Sequence, residues 1–197
     1  MSVATAIDWD EWRSSYDDMD FADQQAFYRL VAQLHPTQQS FDPESANGAF
    51  DVINGLELSV VELGGWDGRL ASGMLTRADV GSWDNYDLLE VPQVCTHLGY
   101  RLLVLDDYIW KRPIVGDVFV ACHTVEHLRV RELAELFDAL RTFWVYLEAP
   151  ITQDGADWTG YRGSHILEVG WREIGEMLSL RGYTWEGGSS VTGLWSR

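Results

Sequence analysis

The stretch VVELGGWDGRLA, residues 60–71, decides the fold. An apolar run ends in Glu62, three glycines follow at positions 64, 65 and 68, and a helical pattern begins directly after them. This order is typical of a strand, a tight turn and a helix in an α/β protein. Gly64 and Gly65 would permit a sharp turn with positive φ, and Gly68 would allow close packing where the helix begins. A glycine turn alone can be a ligand loop or only a tight link, and both interpretations stay open here.

The rest of the chain after about residue 55 alternates short apolar runs with helical patterns. We predict strands over residues 56–63, 85–91, 100–110, 116–123 and 142–151, helices over 69–77, 128–141 and 168–182, a short helix or turn over 91–99, and a closing hairpin over 183–197. Continuously apolar strands are typical of sheets that are buried on both faces. The alternation therefore predicts a doubly wound, mostly parallel α/β sheet.

Residues 1–50 differ from the rest because they are acidic, are rich in glutamine and contain several aromatic residues. Helical spacing predicts one amphipathic helix over residues 23–34, ending before Pro36. We expect a single domain over residues 1–197, in which residues 1–50 form a helical cap and residues 51–197 form the core. The cap is either a packing element or a lid over a ligand site.

The charge balance excludes several classes of partner. The chain of 197 residues has 14 basic and 31 acidic side chains, a formal net charge of −17, and no cluster of Lys or Arg. Binding to a phosphate backbone lacks the cations that it needs, so we expect no nucleic-acid partner. Neither a signal peptide nor an apolar run of about 20 residues is present, so we expect a cytoplasmic protein without a membrane partner. Oligomeric state, including a homodimer, is left open.

Acids narrow the choice of ligand for the glycine turn. Glu62 and Asp67 flank the glycines and would repel a phosphate, so the turn suits a ligand with hydroxyls, amines or positive charge. About 20 residues beyond the turn, Asp87 or Glu90 lies where a carboxylate usually binds a ribose. The acids at 106 and 107 end the third apolar run and could accept a hydrogen bond from an adenine amino group. Together a ribose, an adenine and a cationic amino-acid tail describe S-adenosylmethionine.

The segment VVELGGWDG resembles the first motif of the class I S-adenosylmethionine-dependent methyltransferases, a hydrophobic strand that ends in an acid and a glycine loop. The segments LLEV, VLDD, GDVFVACHTVEHL and GSHILEVGWREIGEMLSLRGY resemble the same family in order, so the likeness covers roughly residues 55–197. The resemblance implies a Rossmann-like methyltransferase fold with seven strands, the last antiparallel. It also implies S-adenosylmethionine as the cofactor and methyl transfer as the activity.

The resemblance also assigns roles to particular residues. The loop that binds the cofactor would consist of Glu62, Gly64, Gly65, Trp66, Asp67 and Gly68. Glu62 would act near the methionine moiety, Asp87 or Glu90 would bind the ribose, Asp106 and Asp107 would lie near the adenine, and His123 would lie beside the methyl group. Trp66 departs from the family pattern, because a middle glycine is common at its position. We expect its indole to form a wall of the cofactor pocket.

The segment HTVEH, residues 123–127, allows two interpretations. H-x-x-E-H on a helix marks a class of zinc peptidases, in which His123 and His127 would bind zinc and Glu126 would activate water. The segment follows a strand candidate, however, so the two histidines need not share a face. In the methyltransferase interpretation no metal is assigned, and His123 is the first candidate for a base that accepts the proton of a hydroxyl acceptor, followed by His127 and His165.

We therefore expect a methyltransferase that acts on a small molecule or a sugar, at oxygen. Five aromatic residues favour a small or glycan-like acceptor, because some of them are expected in loops near the sheet edge: Trp83, Tyr86, Trp110, Trp158 and Tyr161. One alternative is a non-catalytic binding or scaffold protein with the same fold. The other is a zinc hydrolase that uses HTVEH.

Overall fold

The structure, a computed structural model, describes residues 8–34, 43–53, 55–152, 155–156 and 165–197. Within these ranges the α-helices are α1 (Trp9–Ser15), α2 (Phe21–Leu34), α3 (Pro43–Val52), α4 (Arg69–Met74), α5 (Val130–Ala139) and α6 (Trp171–Ser179). Single turns of 3-10 helix span Tyr16–Asp18, Ile109–Lys111 and Val125–His127. None of these helices is long and apolar enough to cross a membrane.

Seven strands form the main sheet: β1 (Leu58–Leu63), β2 (Val80–Asp87), β3 (Tyr100–Val104), β4 (Val118–Cys122), β5 (Trp144–Glu148), β6 (Thr184–Gly188) and β7 (Thr192–Ser196). Their order is β6-β7-β5-β4-β1-β2-β3, and β1 to β5 are mutually parallel. Strand β7 runs antiparallel to both β5 and β6. The predicted doubly wound sheet of seven strands, with the last antiparallel, is confirmed.

The central strands are the most apolar because both of their faces are covered. All five residues of β4 are buried, and in β1 only Ser59 is partly exposed. Helices α5 and α6 cover one face with buried side chains such as Leu136 and Ile174, and α3 and α4 cover the other with side chains such as Phe50. Strands β1 and β4 are thus fixed at the centre, where the strand order reverses.

The prediction for the second strand was wrong in its position. The strand was expected over residues 85–91 but is formed by Val80–Asp87, so Trp83 lies in a strand and not in a loop, and Tyr86 lies near the end of that strand. From Trp83 onward β2 alternates buried and partly buried residues, and two of the buried ones, Asn85 and Asp87, are polar. The apolar pair at 88 and 89 was mistaken for its core. Residues 91–97 form no helix, and a turn at 98–99 leads into β3.

Several other elements are shorter than predicted. Strand β3 ends at Val104 instead of residue 110, and the rest of that run contains the 3-10 turn at Ile109–Lys111. Helix α5 occupies ten residues of the predicted fourteen, and α6 nine of the predicted fifteen. Apolar periodicity continues past these ends, because loop residues also contribute to the core.

The N-terminal region has two parts. Helix α2 confirms the predicted amphipathic helix and begins two residues earlier, and Trp12 of α1 stacks on its Phe27 with ring centroids 3.5 Å apart. Helix α3 crosses residue 50 and belongs to the core, since Phe50 is fully buried and stacks on Trp83. The α1–α2 part instead packs against Ile166, near the carboxyl end of the sheet.

Core packing should dominate stability. Truncation of the fully buried Leu136 to alanine should lower the free energy of unfolding by about 2–5 kcal/mol, because it removes apolar contacts and leaves a cavity. The matched change Leu180→Ala, at a side chain that is 86% exposed, should cost less than about 0.5 kcal/mol. Urea unfolding of both variants measures the difference, and equal losses would contradict this assignment of the core.

Candidate functional site

The loops after β1 and β4 meet at the reversal point of the sheet. The glycine loop, residues 64–68, follows β1, and the HTVEH segment follows β4. The Thr124 hydroxyl donates a hydrogen bond to the carbonyl of Leu63 at 2.9 Å and joins the two loops. Gly64 has φ +76°, and a Cβ atom there would collide with that hydroxyl, so this position requires glycine. In open α/β sheets such a reversal point is where ligands bind.

Backbone amides of the glycine loop are held by polar side chains of β2. The amide of Gly65 donates to Asn85 Oδ1 at 2.9 Å, and the amide of Trp66 donates to Asp87 Oδ2 at 2.8 Å. Trp66 has φ +50°, a conformation that costs a bulky residue energy and that a glycine would adopt freely. The hydrogen bond from its amide to a buried carboxylate compensates that strain.

Glu62 is a buried acid beneath the loop. Its side chain is 1% exposed, and Oε2 accepts a hydrogen bond from Trp83 Nε1 at 2.7 Å. Burial raises the pKa of Glu62 to about 8, opposed by that hydrogen bond and assisted by the charges of Asp87 and Asp67. Gly65 leaves room for this carboxyl group, because a Cβ atom at that position would collide with it. At neutral pH Glu62 is mostly protonated, and a nearby cation would favour its ionised form.

A small cavity of about 20 Å³ lies between the two loops, which is room for about one water molecule. It is lined by residues from the end of β1, the glycine loop, the start of α4 and the end of β4: Glu62, Gly64, Gly65, Asp67, Arg69, Leu70, Cys122 and His123. The expected wall, Trp66, is not part of this lining. Asp67 pairs with Arg69 at 2.8 Å, so one of the two acids that flank the glycines is already neutralised.

Asp87 and Glu90 differ in position and in exposure. Asp87 is the last residue of β2 and is buried, whereas Glu90 lies beyond the strand and is exposed. Only Asp87 therefore has the position at the strand end where a ribose carboxylate is expected. Both of its oxygens already accept backbone hydrogen bonds, from Trp66 at 2.8 Å and from Leu89 at 3.0 Å.

Three supporting residues were missed by the sequence analysis. Asn85 also donates to Tyr100 Oη at 3.0 Å, Tyr100 donates to Gln93, and Gln93 donates to the carbonyl of Trp66 at 3.0 Å. The sequence offers one signal for this network, the polar residue Asn85, which is the first residue of the predicted strand 85–91.

Asp106 and Asp107 lie in the loop after β3 and form exposed ion pairs with Arg112 and Lys111. Their contact with an adenine stays a prediction.

His123 lies between two buried glutamates. Its Nδ1 is 3.4 Å from Glu126 Oε1, and its Nε2 is 3.6 Å from Glu148 Oε1. Burial favours the neutral ring, but the two carboxylates outweigh it and raise the pKa of His123 to about 10. A histidine that is already protonated at neutral pH is a poor proton acceptor. The two neighbouring carboxylates therefore disfavour His123 as the base and favour a partly buried cation.

The HTVEH segment does not form the arrangement of the alternative zinc-peptidase interpretation, because it follows β4 and contains one 3-10 turn and no α-helix. The structure instead brings together Glu126, His127 and His165, whose possible ligand atoms all lie within 4.8 Å of one another. His127 and His165, the two remaining candidate bases, are thus neighbours, with ring centroids 4.9 Å apart.

Of the aromatic residues expected near the acceptor, Trp110 lies in a 3-10 turn, and Trp158 and Tyr161 lie outside the described residues.

Replacing Asp87 should loosen the glycine loop. In Asp87→Asn one oxygen becomes an NH2 group, so either the Trp66 or the Leu89 amide loses its acceptor and faces a donor. We expect a loss of about 1–3 kcal/mol in the free energy of unfolding and faster hydrogen exchange at that amide. The exposed neighbour provides the control, since Glu90→Gln should change stability by less than about 0.5 kcal/mol.

The raised pKa of Glu62 predicts a pH dependence. Between about pH 4.5 and 8 the unfolded chain has lost the Glu62 proton while the folded chain keeps it, so the stability contributed at low pH is lost as pH rises. Glu62→Gln cannot ionise and keeps an acceptor for Trp83, so its stability relative to the wild type should be greater at pH 8 than at pH 5. Urea unfolding at both pH values tests this. A constant difference would show that Glu62 ionises normally.

Solved structures with the same fold are methyltransferases. The methyltransferase domain of bacterial CtHen1 matches with a TM-score of 0.54 at 15% identity, over 79% of this chain and 97% of its own. CalO1, a methyltransferase in calicheamicin biosynthesis solved with S-adenosylhomocysteine, matches with a TM-score of 0.58 at 13% identity, over 93% and 60%. Human N-acetylserotonin methyltransferase in complex with S-adenosylmethionine matches with a TM-score of 0.56 at 14% identity, over 94% and 58%.

The chain spans about three fifths of the length of the last two proteins. No protein-family model matches the sequence, and neither does any curated protein. At these identities the similarity establishes the fold, and it agrees with the strand order and the position of the glycine loop. The chain therefore has the fold of the class I S-adenosylmethionine-dependent methyltransferases.

Proposed function

We propose that the protein is an S-adenosylmethionine-dependent methyltransferase. The observation that carries the proposal is the buried carboxyl group of Glu62, which lies beneath a glycine loop at the reversal point of the sheet. A protonated acid in this position is suited to a ligand that brings its own positive charge. The ammonium group of S-adenosylmethionine would supply that charge, whereas a phosphate ligand would not favour ionisation of Glu62 and would be repelled by the Asp87 carboxylate.

Each of the other loop residues has a matching role in this proposal. Asp87, at the end of β2, would receive the ribose hydroxyls in addition to its backbone hydrogen bonds, since a carboxylate oxygen has more than one lone pair. The cofactor supplies a methyl group on a sulfonium, which is electrophilic without further activation by the protein. Because the present cavity holds about one water, the loop and its surroundings have to open when the cofactor binds.

The acceptor in this proposal is a hydroxyl of a small molecule or a sugar. His127 follows β4 and lies next to His165, with ring centroids 4.9 Å apart, and a neutral imidazole beside a hydroxyl can accept its proton. Among the structural relatives, CalO1 acts in calicheamicin biosynthesis, and a protein from Burkholderia thailandensis is described as an O-methyltransferase family protein. The net charge of −17 favours such acceptors over a nucleic acid.

One set of observations favours a second candidate, a non-catalytic binding protein with the methyltransferase fold. The cavity is far smaller than the cofactor, both oxygens of Asp87 are engaged, and Trp66 replaces a common glycine. A protein that had lost the cofactor would be expected to fill its site in this way. Cofactor binding distinguishes the two candidates.

Calorimetric titration with S-adenosylmethionine and S-adenosylhomocysteine is the decisive experiment. We expect micromolar binding at pH 7, with release of up to about one proton per ligand because the ammonium group favours ionised Glu62. Repeating the titration in buffers with different ionisation enthalpies measures the protons. Glu62→Gln should bind more weakly and release none of them, while the control Glu90→Gln should behave as the wild type.

Two outcomes would count against the proposal. No binding to folded wild-type protein would favour the non-catalytic candidate. Binding without proton release, unchanged in Glu62→Gln, would show that the cofactor is bound elsewhere or without Glu62.

A further inference from the structure

Glu126, His127 and His165 form a cluster of possible metal ligands on the cap side of the sheet. One carboxylate oxygen and one nitrogen from each ring lie within 4.8 Å of one another. Glu126 and His165 are 1% and 6% exposed. Three donors bound at about 2 Å from a single ion lie about 3–3.5 Å apart, so small side-chain movements would bring these three into range.

The two carboxylate oxygens of Glu126 differ in their hydrogen bonding. Oε1 is near His123 Nδ1, at 3.4 Å, and His165 Nε2, at 3.9 Å. Oε2 is buried and has no hydrogen-bond partner within the described part of the chain. A buried carboxylate oxygen without a partner is costly, so such an atom next to two imidazoles indicates a missing cationic or hydrogen-donating ligand.

A second buried polar atom lies beside the same cluster. Tyr28 of α2 presents its ring edge-on to His127, with centroids 5.6 Å apart. Its hydroxyl is buried and, among the residues that the structure describes, has no hydrogen-bond partner. A hydroxyl in this position could bind a water or an acceptor oxygen on a metal ion. The cap thus supplies polar as well as aromatic contacts to the cluster.

The backbone around the cluster is tied in place. The amides of Ile166 and Leu167 both donate to the carbonyl of Glu126, at 2.8 and 3.2 Å, and they hold the segment after His165 against the 3-10 turn. The Tyr16 hydroxyl donates to Glu132 Oε2 at 2.9 Å and lies 3.3 Å from the carbonyl oxygen of His127. Ligands on two distant segments are therefore positioned by the fold itself, which reduces the entropy that metal binding has to overcome.

We propose that Glu126, His127 and His165 bind a divalent transition-metal ion such as zinc. Two imidazoles and one carboxylate favour metals of this class over magnesium or calcium, which prefer oxygen ligands alone. Three protein ligands leave a position open for an exogenous oxygen. If the proposed methyl transfer is correct, that oxygen is the acceptor hydroxyl: the ion would lower its pKa so that its proton passes to solvent water, and the two histidines would then act as ligands and not as the base. Metal binding itself does not depend on that activity.

Cobalt(II) is the probe for the test, because its visible absorption reports ligand number and type. Full-length protein is stripped with a chelator, dialysed and titrated with cobalt(II), with calorimetry and metal analysis in parallel. We expect one ion per chain with micromolar or tighter affinity, and at least a tenfold loss in His127→Ala and in His165→Ala. His97→Ala removes an exposed histidine far along the chain from the cluster and should leave binding unchanged.

Absence of stoichiometric binding to the wild type, or binding retained in both His127→Ala and His165→Ala, would overturn the proposal. If those variants do not fold, wild-type protein suffices, because cobalt(II) should broaden and shift the imidazole NMR signals of His127 and His165 and not that of His97. Broadening of His97 alone would also overturn it. Titration of S-adenosylmethionine into metal-free protein tests the proposed function separately, so failure of one does not entail failure of the other.

Discussion

A buried carboxylate at the end of β2 determines how the glycine loop lies on the sheet. Asp87 accepts hydrogen bonds from the amides of Trp66 and Leu89, so it fixes the loop after β1 and the chain after β2 at once. The Trp66 conformation, with positive φ, persists because this hydrogen bond and those to its carbonyl restrain it. The loop that lines the cavity after β1 is therefore held in place from β2.

The two buried carboxyl groups near the glycine loop favour a cationic ligand, but their internal hydrogen bonds leave little room for one. Asp87 and Glu62 place two carboxyl groups in a volume with little water, and burial raises the pKa of each. Because both carboxyl groups are desolvated, a nearby positive charge would favour their ionised forms. A cofactor with a sulfonium group carries such a charge. Satisfying them internally, through backbone amides and Trp83, leaves a cavity of about 20 Å³. Ligand binding must therefore exchange internal hydrogen bonds for those to the ligand.

Histidines after β4 are divided between two electrostatic roles. His123 lies between two glutamates and is held as a cation, while His127 and His165 face Glu126 on the side of the cap. Glu126 connects the two groups because one of its oxygens is near both His123 and His165. The neighbouring side chains of HTVEH thus have different surroundings, since a strand end followed by a 3-10 turn points them in different directions.

The sequence alone determined the class of fold and the position of the glycine loop, because buried parallel strands and left-handed glycines leave local patterns. It also named Asp87, Glu90 and the three histidines as candidates. Only the tertiary structure decided that Asp87 ends β2 and that Glu90 is exposed. The polar residues of β2 are buried because they bind the loop after β1, and such a contact leaves no apolar pattern in the sequence of β2. The sequence also could not predict that Glu126 and His165, 39 residues apart, lie close together. This contact depends on where two separate segments meet and not on spacing along the chain.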